Sequence, residues 1–130
     1  MGRGRRGLRV ANLHLDGGRR RDRDSCLTQL LDWLGPRDDG GFARPTVVLG
    51  DFNGTLAEPG FAAFADAGLR SALPEAAGPT SNGFGRVEHQ HQIDHVFLSR
   101  HLGVVAAEIR TDAGLASDHY PVVVELEPAP

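Results

Sequence analysis

The strongest constraint on the fold of this chain is that its apolar residues occur in strand-length runs, with one clear helical pattern among them. The run LRVANLHL at 8–15 alternates apolar and polar residues, which predicts a strand with one buried face. Leucines within 27–34 are spaced i, i+3, i+4 and i+7, which predicts a helix. Asp24 is the expected N-cap of this helix, and Gly35 with Pro36 ends it.

The remaining apolar runs predict four more strands and a second helix. TVVLG at 46–50 is a short β-branched run, typical of a central strand. A short helix is expected at 61–67, with Gly68 as its stop. The loop at 71–92 is rich in glycine and proline, and so long a connection in a compact domain is usually functional or mobile. QIDHVFLS, VVAAEIRT and PVVVELE are the last three strands, and this order of elements indicates a mixed arrangement of helices and strands.

Length and composition indicate one soluble globular domain. The chain has 130 residues, of which 40% are hydrophobic and 24% charged. Its longest apolar runs are strand-sized, well short of the roughly 20 residues that span a bilayer. No apolar segment follows the arginine-rich start, so no secretory signal is predicted and a cytoplasmic location is expected. The single Cys26 excludes an internal disulfide and a multi-cysteine zinc site.

Positive charge is concentrated at the start of the chain. Residues 1–23 hold eight arginines against two acids, a balance of +6, whereas residues 24–130 hold six arginines against fifteen acids. The basic end could bind a phosphate-rich partner such as nucleic acid. No aromatic residue lies among these arginines to stack on bases, which favours the alternative of a solvated terminus.

Asp51 and Asn53 are the first candidate site residues, because they stand where the strand at 46–50 runs into a turn. Side chains alternate along an extended segment, so these two residues are expected to point to the same side. The alternative is ordinary turn chemistry, since Asp and Asn both form hydrogen bonds with turn backbone. The pair alone does not decide between a site and a turn.

Two Asp-His dipeptides supply further candidates. With eleven Asp and six His in 130 residues, one such dipeptide is expected by chance in roughly every second chain, so neither is decisive alone. Asp94 lies in the apolar strand IDHVFLS, where a carboxylate is costly to bury without a partner. His119, in SDHYPV, is a natural partner because a carboxylate beside an imidazole fixes its tautomer. His14, at the end of the first strand, is a weaker candidate.

A histidine cluster in RVEHQHQIDH suggests a metal site as another alternative. His89, His91 and His95 would share one face of a regular strand. The glycine- and proline-rich approach makes a regular strand unexpected there, and no acid or cysteine completes the ligand set. The sequence therefore disfavours this site.

Four motifs in order resemble one known family. They are N-x-H-L at 12–15, G-D-F-N at 50–53, I-D-H-V-F at 93–97 and S-D-H-Y-P-V at 117–122. This pattern resembles the endonuclease/exonuclease/phosphatase superfamily, the deoxyribonuclease-I-like metal-dependent phosphoesterases, over about 7–127. The resemblance implies an α+β fold, the C-terminal half of a four-layer α/β/β/α sandwich.

The resemblance gives the earlier motifs roles at the water and the phosphate. Asp51 would orient or deprotonate the attacking water, and Asn53 would donate its amide N–H to a phosphate oxygen. His14 matches a histidine that contacts the phosphate in many members. Hydrolysis of a phosphoester needs these functions, namely an aligned water, neutralised phosphoryl oxygens and an assisted leaving oxygen.

The later motifs would complete the site. The resemblance implies that His119 hydrogen-bonds the scissile phosphate, with Asp94 orienting its imidazole. Asp118 would lie near the leaving group and is the implied metal ligand. The implied cofactor is Mg²⁺, with Mn²⁺ as an alternative, and it would neutralise charge on the phosphoryl group.

The resemblance also implies that part of the family domain is missing. The family's main metal ligand is a glutamate that precedes N-x-H-L, whereas every glutamate here follows G-D-F-N. Residues 1–130 are therefore expected to form a single partial domain without its N-terminal half. The inner faces of TVVL, IDHVF and PVVVEL would then be exposed, which predicts self-association or a partner chain that supplies the missing half.

Two function hypotheses follow from the resemblance. The first is metal-dependent hydrolysis of phosphoesters, most of all phosphodiesters, by attack of a water positioned by Asp51, with nucleic acid as a candidate substrate. The second is an inactive remnant, or a module that binds phosphate or a partner without the metal-binding glutamate. The acidic bulk of the chain does not support a large nucleic-acid footprint.

Overall fold

A computed structural model describes residues 7–38 and 41–130 of the chain. Residues 1–6, with three arginines of the basic end, and residues 39–40 lie outside the described residues. The helices and strands are β1 (Arg9–His14), α1 (Arg20–Trp33), β2 (Arg37–Asp38), β3 (Gly41–Phe42), β4 (Thr46–Asp51), α2 (Ala62–Asp66), β5 (Arg70–Ser71), β6 (Asp94–Leu98), β7 (Leu102–Ile109) and β8 (Val122–Pro128).

The predicted order of elements is confirmed. The five long strands and both helices occur where the apolar runs indicate, and β2, β3 and β5 add strands of two residues each. The loop at 71–92 contains three single turns of 3-10 helix, Glu75–Ala77, Gly83–Gly85 and Val87–His89. Pro59–Phe61 and Thr111–Ala113 are further turns of this kind.

The predicted N-cap of α1 is wrong. The helix begins at Arg20, one turn before Asp24, and its N-cap position is Arg19, which makes no capping hydrogen bond through its side chain. Arginine is a strong helix former, so residues 20–23 extend the helix beyond the leucine pattern. The stop of α2 is as predicted, since Gly68 has a φ of 82° and follows the last helical turn.

A four-stranded sheet in the order β1-β4-β6-β5 forms the centre of the fold. β1 and β4 are parallel and are connected through α1, whereas β6 is antiparallel to both β4 and β5. β7 and β8 form a separate antiparallel pair. One parallel pair in otherwise antiparallel pairing agrees with the predicted α+β class.

One face of the central sheet is covered by the two helices. Val48 and Phe97 point to this side and are 0% and 4% exposed. They pack against the leucines of α1 and a cluster of aromatic rings whose centroids lie 4.9 to 6.0 Å apart. The aromatic members of this cluster are Phe52, Phe61, Phe64 and Phe97.

The other face of the sheet, called the open face below, is covered only in part, by β7 and β8: Val47 and Leu98 are 3% and 0% exposed and pack with Leu102. Val10, on the edge strand β1, is 56% exposed on this side. The side chains of β8 lie across a groove of about 370 Å³ from those of β4 and β6. The apolar residues that line this groove are Val47, Leu49, Val96, Val122, Val124 and Leu126. Within the described ranges, no helix is long and apolar enough to cross a bilayer.

Candidate active site

Three neighbouring strands bring candidate residues together at one end of the open face. The β1–β4 register places His14 opposite Asp51, and the β4–β6 register places Asp51 opposite Asp94. Because directly paired residues project to the same side of a sheet, the three side chains form a row. The row continues from the apolar groove, which Asp51 and Asp94 also line.

Gly50 permits the close pairing that sets up this row. Its φ is 138°, and a Cβ atom there would lie 1.9 Å from the carbonyl oxygen of Leu13 on β1. Any other residue would force β1 and β4 apart. The glycine of the G-D-F-N motif is therefore explained by strand packing immediately before Asp51.

The turn after β4 contains the local hydrogen bond expected of an Asp-x-Asn turn, and it leaves Oδ2 of Asp51 facing the candidate site. Asp51 accepts a hydrogen bond through Oδ1 from the backbone N–H of Asn53 at 2.9 Å, which is local turn chemistry. Asn53 has a φ of 47°, a left-handed conformation that Asn tolerates better than most residues. Oδ2 of Asp51 faces the histidines of the site. The same carboxylate thus shapes the turn with one oxygen and faces the histidines with the other.

The amide of Asn53 is partly committed within the protein. Its Nδ2 donates to the carbonyl oxygen of Leu15 at 2.6 Å, which anchors the side chain to the end of β1. A carboxamide nitrogen carries two N–H groups, so a second donor is left for a ligand. Asn53 also lines a polar groove of about 740 Å³ together with His119 and Asp118.

His119 is held by Asp94 and aimed at Asp51. Its Nδ1 donates to Oδ2 of Asp94 at 2.6 Å, and its Nε2 lies 3.7 Å from Oδ2 of Asp51. Partial burial lowers the pKa of His119, but the hydrogen bond to Asp94 and the charges of Asp94, Asp51 and Asp118 outweigh it and raise the pKa above 6.5. The raised pKa favours the protonated imidazole, which is suited to an anion.

His14 and Asp118 are the more exposed candidates. The His14 side chain is 77% exposed, and its Nε2 lies 3.5 Å from Oδ2 of Asp51. Asp118 is exposed on the segment that precedes β8, with its carboxylate 3.5 Å from the hydroxyl of Ser117. The structure thus groups His14, Asp51, Asp94 and His119, and places Asp118 at the rim of the polar groove.

The segment that carries His119 is fixed by three polar residues that sequence reasoning missed. The Thr80 hydroxyl accepts hydrogen bonds from the backbone N–H of Ile93 at 3.0 Å and of Asp94 at 2.9 Å. The Tyr120 N–H donates to the Thr80 carbonyl at 2.7 Å, so Thr80 connects β6 to the His119 segment. The three residues Thr80, Ser81 and Asn82 are 0%, 6% and 1% exposed. Their signal is a Thr-Ser-Asn run inside a glycine-rich loop.

His95 lies on the covered face, opposite to Asp94. Its Nε2 donates to the carbonyl oxygen of Gly54 at 2.8 Å, and its ring packs against Phe52 and Phe61. Burial lowers the pKa of His95, against the opposing effects of the Gly54 hydrogen bond and the charges of Asp94 and Asp51. A neutral His95 therefore anchors the turn that carries Asn53.

The disfavoured three-histidine metal site does not form. His95 is 1% exposed beneath the sheet, whereas the side chains of His89 and His91 line the polar groove. His91 hydrogen-bonds through Nε2 to the carbonyl oxygen of Glu88 at 2.9 Å. A 3-10 turn at Val87–His89 breaks the strand alternation that would have aligned the three.

A buried ion pair ties the two loops beneath the site. Arg23 is 7% exposed, and its Nη2 lies 2.5 Å from Oε1 of Glu58. Its Nη1 also donates to the carbonyl oxygen of Asp16 at 3.3 Å. The loop after β1 and the loop after β4 are therefore held together through α1. Sequence reasoning missed this pair because Arg23 and Glu58 are 35 positions apart.

Among the described residues, the carboxylates of Asp51 and Asp94 form the candidate cation site, with His119 beside both. Their ligand atoms lie within 4.8 Å of one another. Two carboxylates beside an open polar groove fit a hard divalent cation that keeps several of its waters. Asp118 is outside this group, so its assignment as a metal ligand stays a prediction. The carboxylate of Glu58 is engaged by Arg23.

Comparison with known proteins agrees with these motifs. The model of the Endonuclease/Exonuclease/phosphatase family matches residues 17–119, which confirms the resemblance seen in the sequence. No curated protein matches the chain.

Several solved structures share the fold. A conserved protein of unknown function from Enterococcus faecalis V583 has a TM-score of 0.73 and 21% identity, over 92% of this chain and 50% of that one. An endonuclease/exonuclease/phosphatase from Bacteroides vulgatus has a TM-score of 0.70 and 26% identity, over 89% and 48%. A mannosyl-6-phosphatase from Bacteroides thetaiotaomicron VPI-5482 has a TM-score of 0.65 and 24% identity, over 91% of this chain and 50% of that one. The chain spans about half the length of these structures, and the predicted fold class is confirmed.

Proposed function

This chain belongs to the endonuclease/exonuclease/phosphatase family, and on that premise we propose that it hydrolyses phosphoester bonds, above all phosphodiesters, with a divalent cation. The observation that carries the proposal is the alignment of Asp94, His119 and Asp51, joined by contacts of 2.6 and 3.7 Å. In support of the proposal, Nε2 of His119, a residue that lines the polar groove, lies close to Oδ2 of Asp51.

The proposed reaction is attack of a water on phosphorus. Asp51 orients the water and accepts its proton, while the P–O bond to the leaving group breaks. His119 donates a hydrogen bond from Nε2 to a phosphoryl oxygen, and Asp94 orients its imidazole by accepting from Nδ1. Asn53 offers its second N–H to the same group, and His14 is placed to contact it from the β1 side. These fixed donors stabilise negative charge that grows in the transition state.

The cation would be Mg²⁺ or Mn²⁺. Carboxylate oxygens of Asp51 and Asp94 are the described ligands closest in chemistry to the needs of these ions. When bound, the ion would supply neutralisation of charge on the phosphoryl oxygens. Asp118, at the rim of the groove, remains the further ligand that the family resemblance proposes.

The test is an assay of bis(p-nitrophenyl) phosphate hydrolysis in the presence of Mg²⁺. The release of p-nitrophenol measures the rate. We expect Asp51→Asn and His119→Ala each to lower kcat by roughly 10²- to 10⁴-fold, as loss of a positioned proton-transfer group does. Asp112→Asn is the matched control, because Asp112 is exposed and pairs with Arg110 at 2.7 Å on another surface. Turnover that survives both site substitutions would exclude this assignment.

A second candidate function is a phosphate-binding module completed by another polypeptide. The apolar groove between β8 and the central sheet favours it, because this surface runs directly into Asp51 and Asp94. We propose that a β-sheet of a partner chain or of a second copy covers the groove. A chain that binds inorganic phosphate but leaves the diester intact would support this function over hydrolysis.

A further inference from the structure

The polar groove next to the candidate site carries an exposed aromatic ring. Phe84 is 62% exposed and lines the groove together with Asn53 and His119. The other five phenylalanines are buried, with exposures between 0% and 7%. Phe84 is thus the phenyl ring that a ligand in this groove can reach.

The backbone of Phe84 is in a conformation that phenylalanine rarely adopts. Its φ and ψ are 51° and 43°, in the left-handed region, and it stands between Gly83 and Gly85, which also have positive φ. A bulky residue there costs free energy that glycine would avoid. The ring is exposed, so no burial in the described structure offsets that cost.

The backbone of Phe84 is joined through Asn82 to the segment that carries His119. Asn82 is 1% exposed, and its Oδ1 accepts from the backbone N–H of Phe84 at 2.8 Å. The Asn82 Nδ2 donates to the carbonyl oxygen of Ser117 at 2.8 Å. The Asn82 backbone N–H donates to the carbonyl oxygen of Asp118 at 2.8 Å. The backbone segments that carry the ring and the imidazole therefore belong to one hydrogen-bonded unit.

The charges around the groove suit a small anion rather than a long polyanion. Arg86 is the single arginine among the residues that line the groove, and Asp118 lines the same groove. A duplex footprint requires many cationic contacts to phosphates. One phosphate at Asn53 and His119, with an adjoining ring, matches this charge balance.

We propose that Phe84 is a stacking platform, so that the ligand is a nucleotide-type phosphoester with its base on the Phe84 ring and its phosphate at Asn53 and His119. This proposal rests on the proposed function, because it uses the same phosphate position. Stacking of a base on an aromatic side chain is tolerant of base identity, so the platform selects for a base without reading its sequence.

The test compares two ligands that share a phosphate and differ in the base. Binding of adenosine 5′-monophosphate and of ribose 5-phosphate to the chain is measured by calorimetry in the presence of Mg²⁺. We expect the nucleotide to bind more tightly than the sugar phosphate. Phe84→Asn should weaken nucleotide binding by roughly 10-fold, a typical loss for one stacked base, and leave ribose 5-phosphate binding unchanged.

The choice of variants separates the ring from the loop. Asparagine tolerates the left-handed backbone, so Phe84→Asn removes the ring while it preserves the turn. Phe84→Tyr should restore nucleotide binding. Val87→Ala is the control, because Val87 is an apolar residue of the same loop, is 76% exposed and does not line the groove.

Each outcome has one meaning. If both ligands bind equally and Phe84→Asn changes neither, the platform is excluded and the phosphate site stands. If neither ligand binds, the phosphate site of the proposed function fails and the platform fails with it. If Phe84→Asn weakens both ligands equally, the residue acts on the loop rather than on the base, and the proposal is overturned.

Discussion

The two faces of the central sheet differ in what they contribute to the protein. Along β6, the His95 ring packs against Phe97 and other rings of the helix-covered face, whereas Asp94 and Val96 line the open face. The covered face buries aromatic rings in close contact, and such packing is where a domain gains most of its stability. The open face carries carboxylates and histidines that need water or a ligand. Because side chains alternate along β6, the residues that stabilise the fold lie on one face of the sheet and the candidate site residues lie on the other.

Phe97 should show the largest effect, because it lies at the centre of the covered face. Its ring contacts four other rings, with Phe64 at 4.9 Å and Phe52 at 5.3 Å. We expect Phe97→Ala to lower the free energy of unfolding by about 3–5 kcal/mol, as truncation of a buried aromatic does. Urea unfolding followed by circular dichroism measures this loss.

A matched control for this prediction is the same change at an exposed ring. Phe84→Ala should change the free energy of unfolding by less than about 0.5 kcal/mol, since surface substitutions rarely do more. Equal losses at the two positions would contradict the view that the covered face holds the fold together.

Val48 and Val96 provide a matched pair on the two faces of adjacent strands. Val48 is 0% exposed under the helices, whereas Val96 lines the open groove. Threonine has nearly the shape of valine but adds a hydroxyl, which costs about 1–3 kcal/mol to bury without a partner. We therefore expect Val48→Thr to destabilise the chain by this amount and Val96→Thr by clearly less, in urea unfolding.

The same pair tests whether the open groove is an association surface. In sedimentation velocity, we expect the chain to self-associate, because contiguous exposed apolar surface favours contacts. Val96→Thr should weaken this association, whereas Val48→Thr should leave it unchanged at concentrations where the chain is folded. A monodisperse monomer would remove the case for a sheet that covers the groove.

The local elements could be predicted from the sequence because they follow short-range rules, as the leucine spacing of α1 shows. Strand alternation groups only Asp51 with Asn53. The other site residues were predicted from the order of the four motifs, and the pairing of His14 with Asp51 across β1 and β4 is seen only in the fold. The long-range supports could not be predicted in this way. The bond from Asn82 to Ser117 spans 35 positions, and that from His95 to Gly54 spans 41. Single polar residues carry no periodic signal for such contacts, so only the fold shows them.

The smallest effects concern pH, where His95 and His119 should act in opposite directions. Burial lowers the pKa of His95 below 6.5, so between those two values the unfolded state binds the extra proton. The contribution of neutral His95 to the free energy of unfolding is therefore fully present above pH 6.5. It decreases by at most about 1.4 kcal/mol per pH unit as the pH is lowered toward the pKa of His95 in the folded protein. The pKa of His119 is raised, so the contribution of protonated His119 to the free energy of unfolding is fully present below pH 6.5. This contribution is lost as the pH rises through the pKa of His119 in the folded protein.

Histidine titrations by NMR, with EDTA to remove cations, would separate these two contributions. We expect one imidazole to titrate below 6.5 and another above it. Asp94→Asn should lower the pKa of His119 more than that of His95, because Asp94 both hydrogen-bonds and faces His119 at 2.6 Å. His95→Gln should flatten the loss of stability below pH 6.5 without changing the behaviour above it. Two histidines that titrate together would mean that the faces of β6 share one electrostatic environment, and the separation of stability from chemistry would not hold.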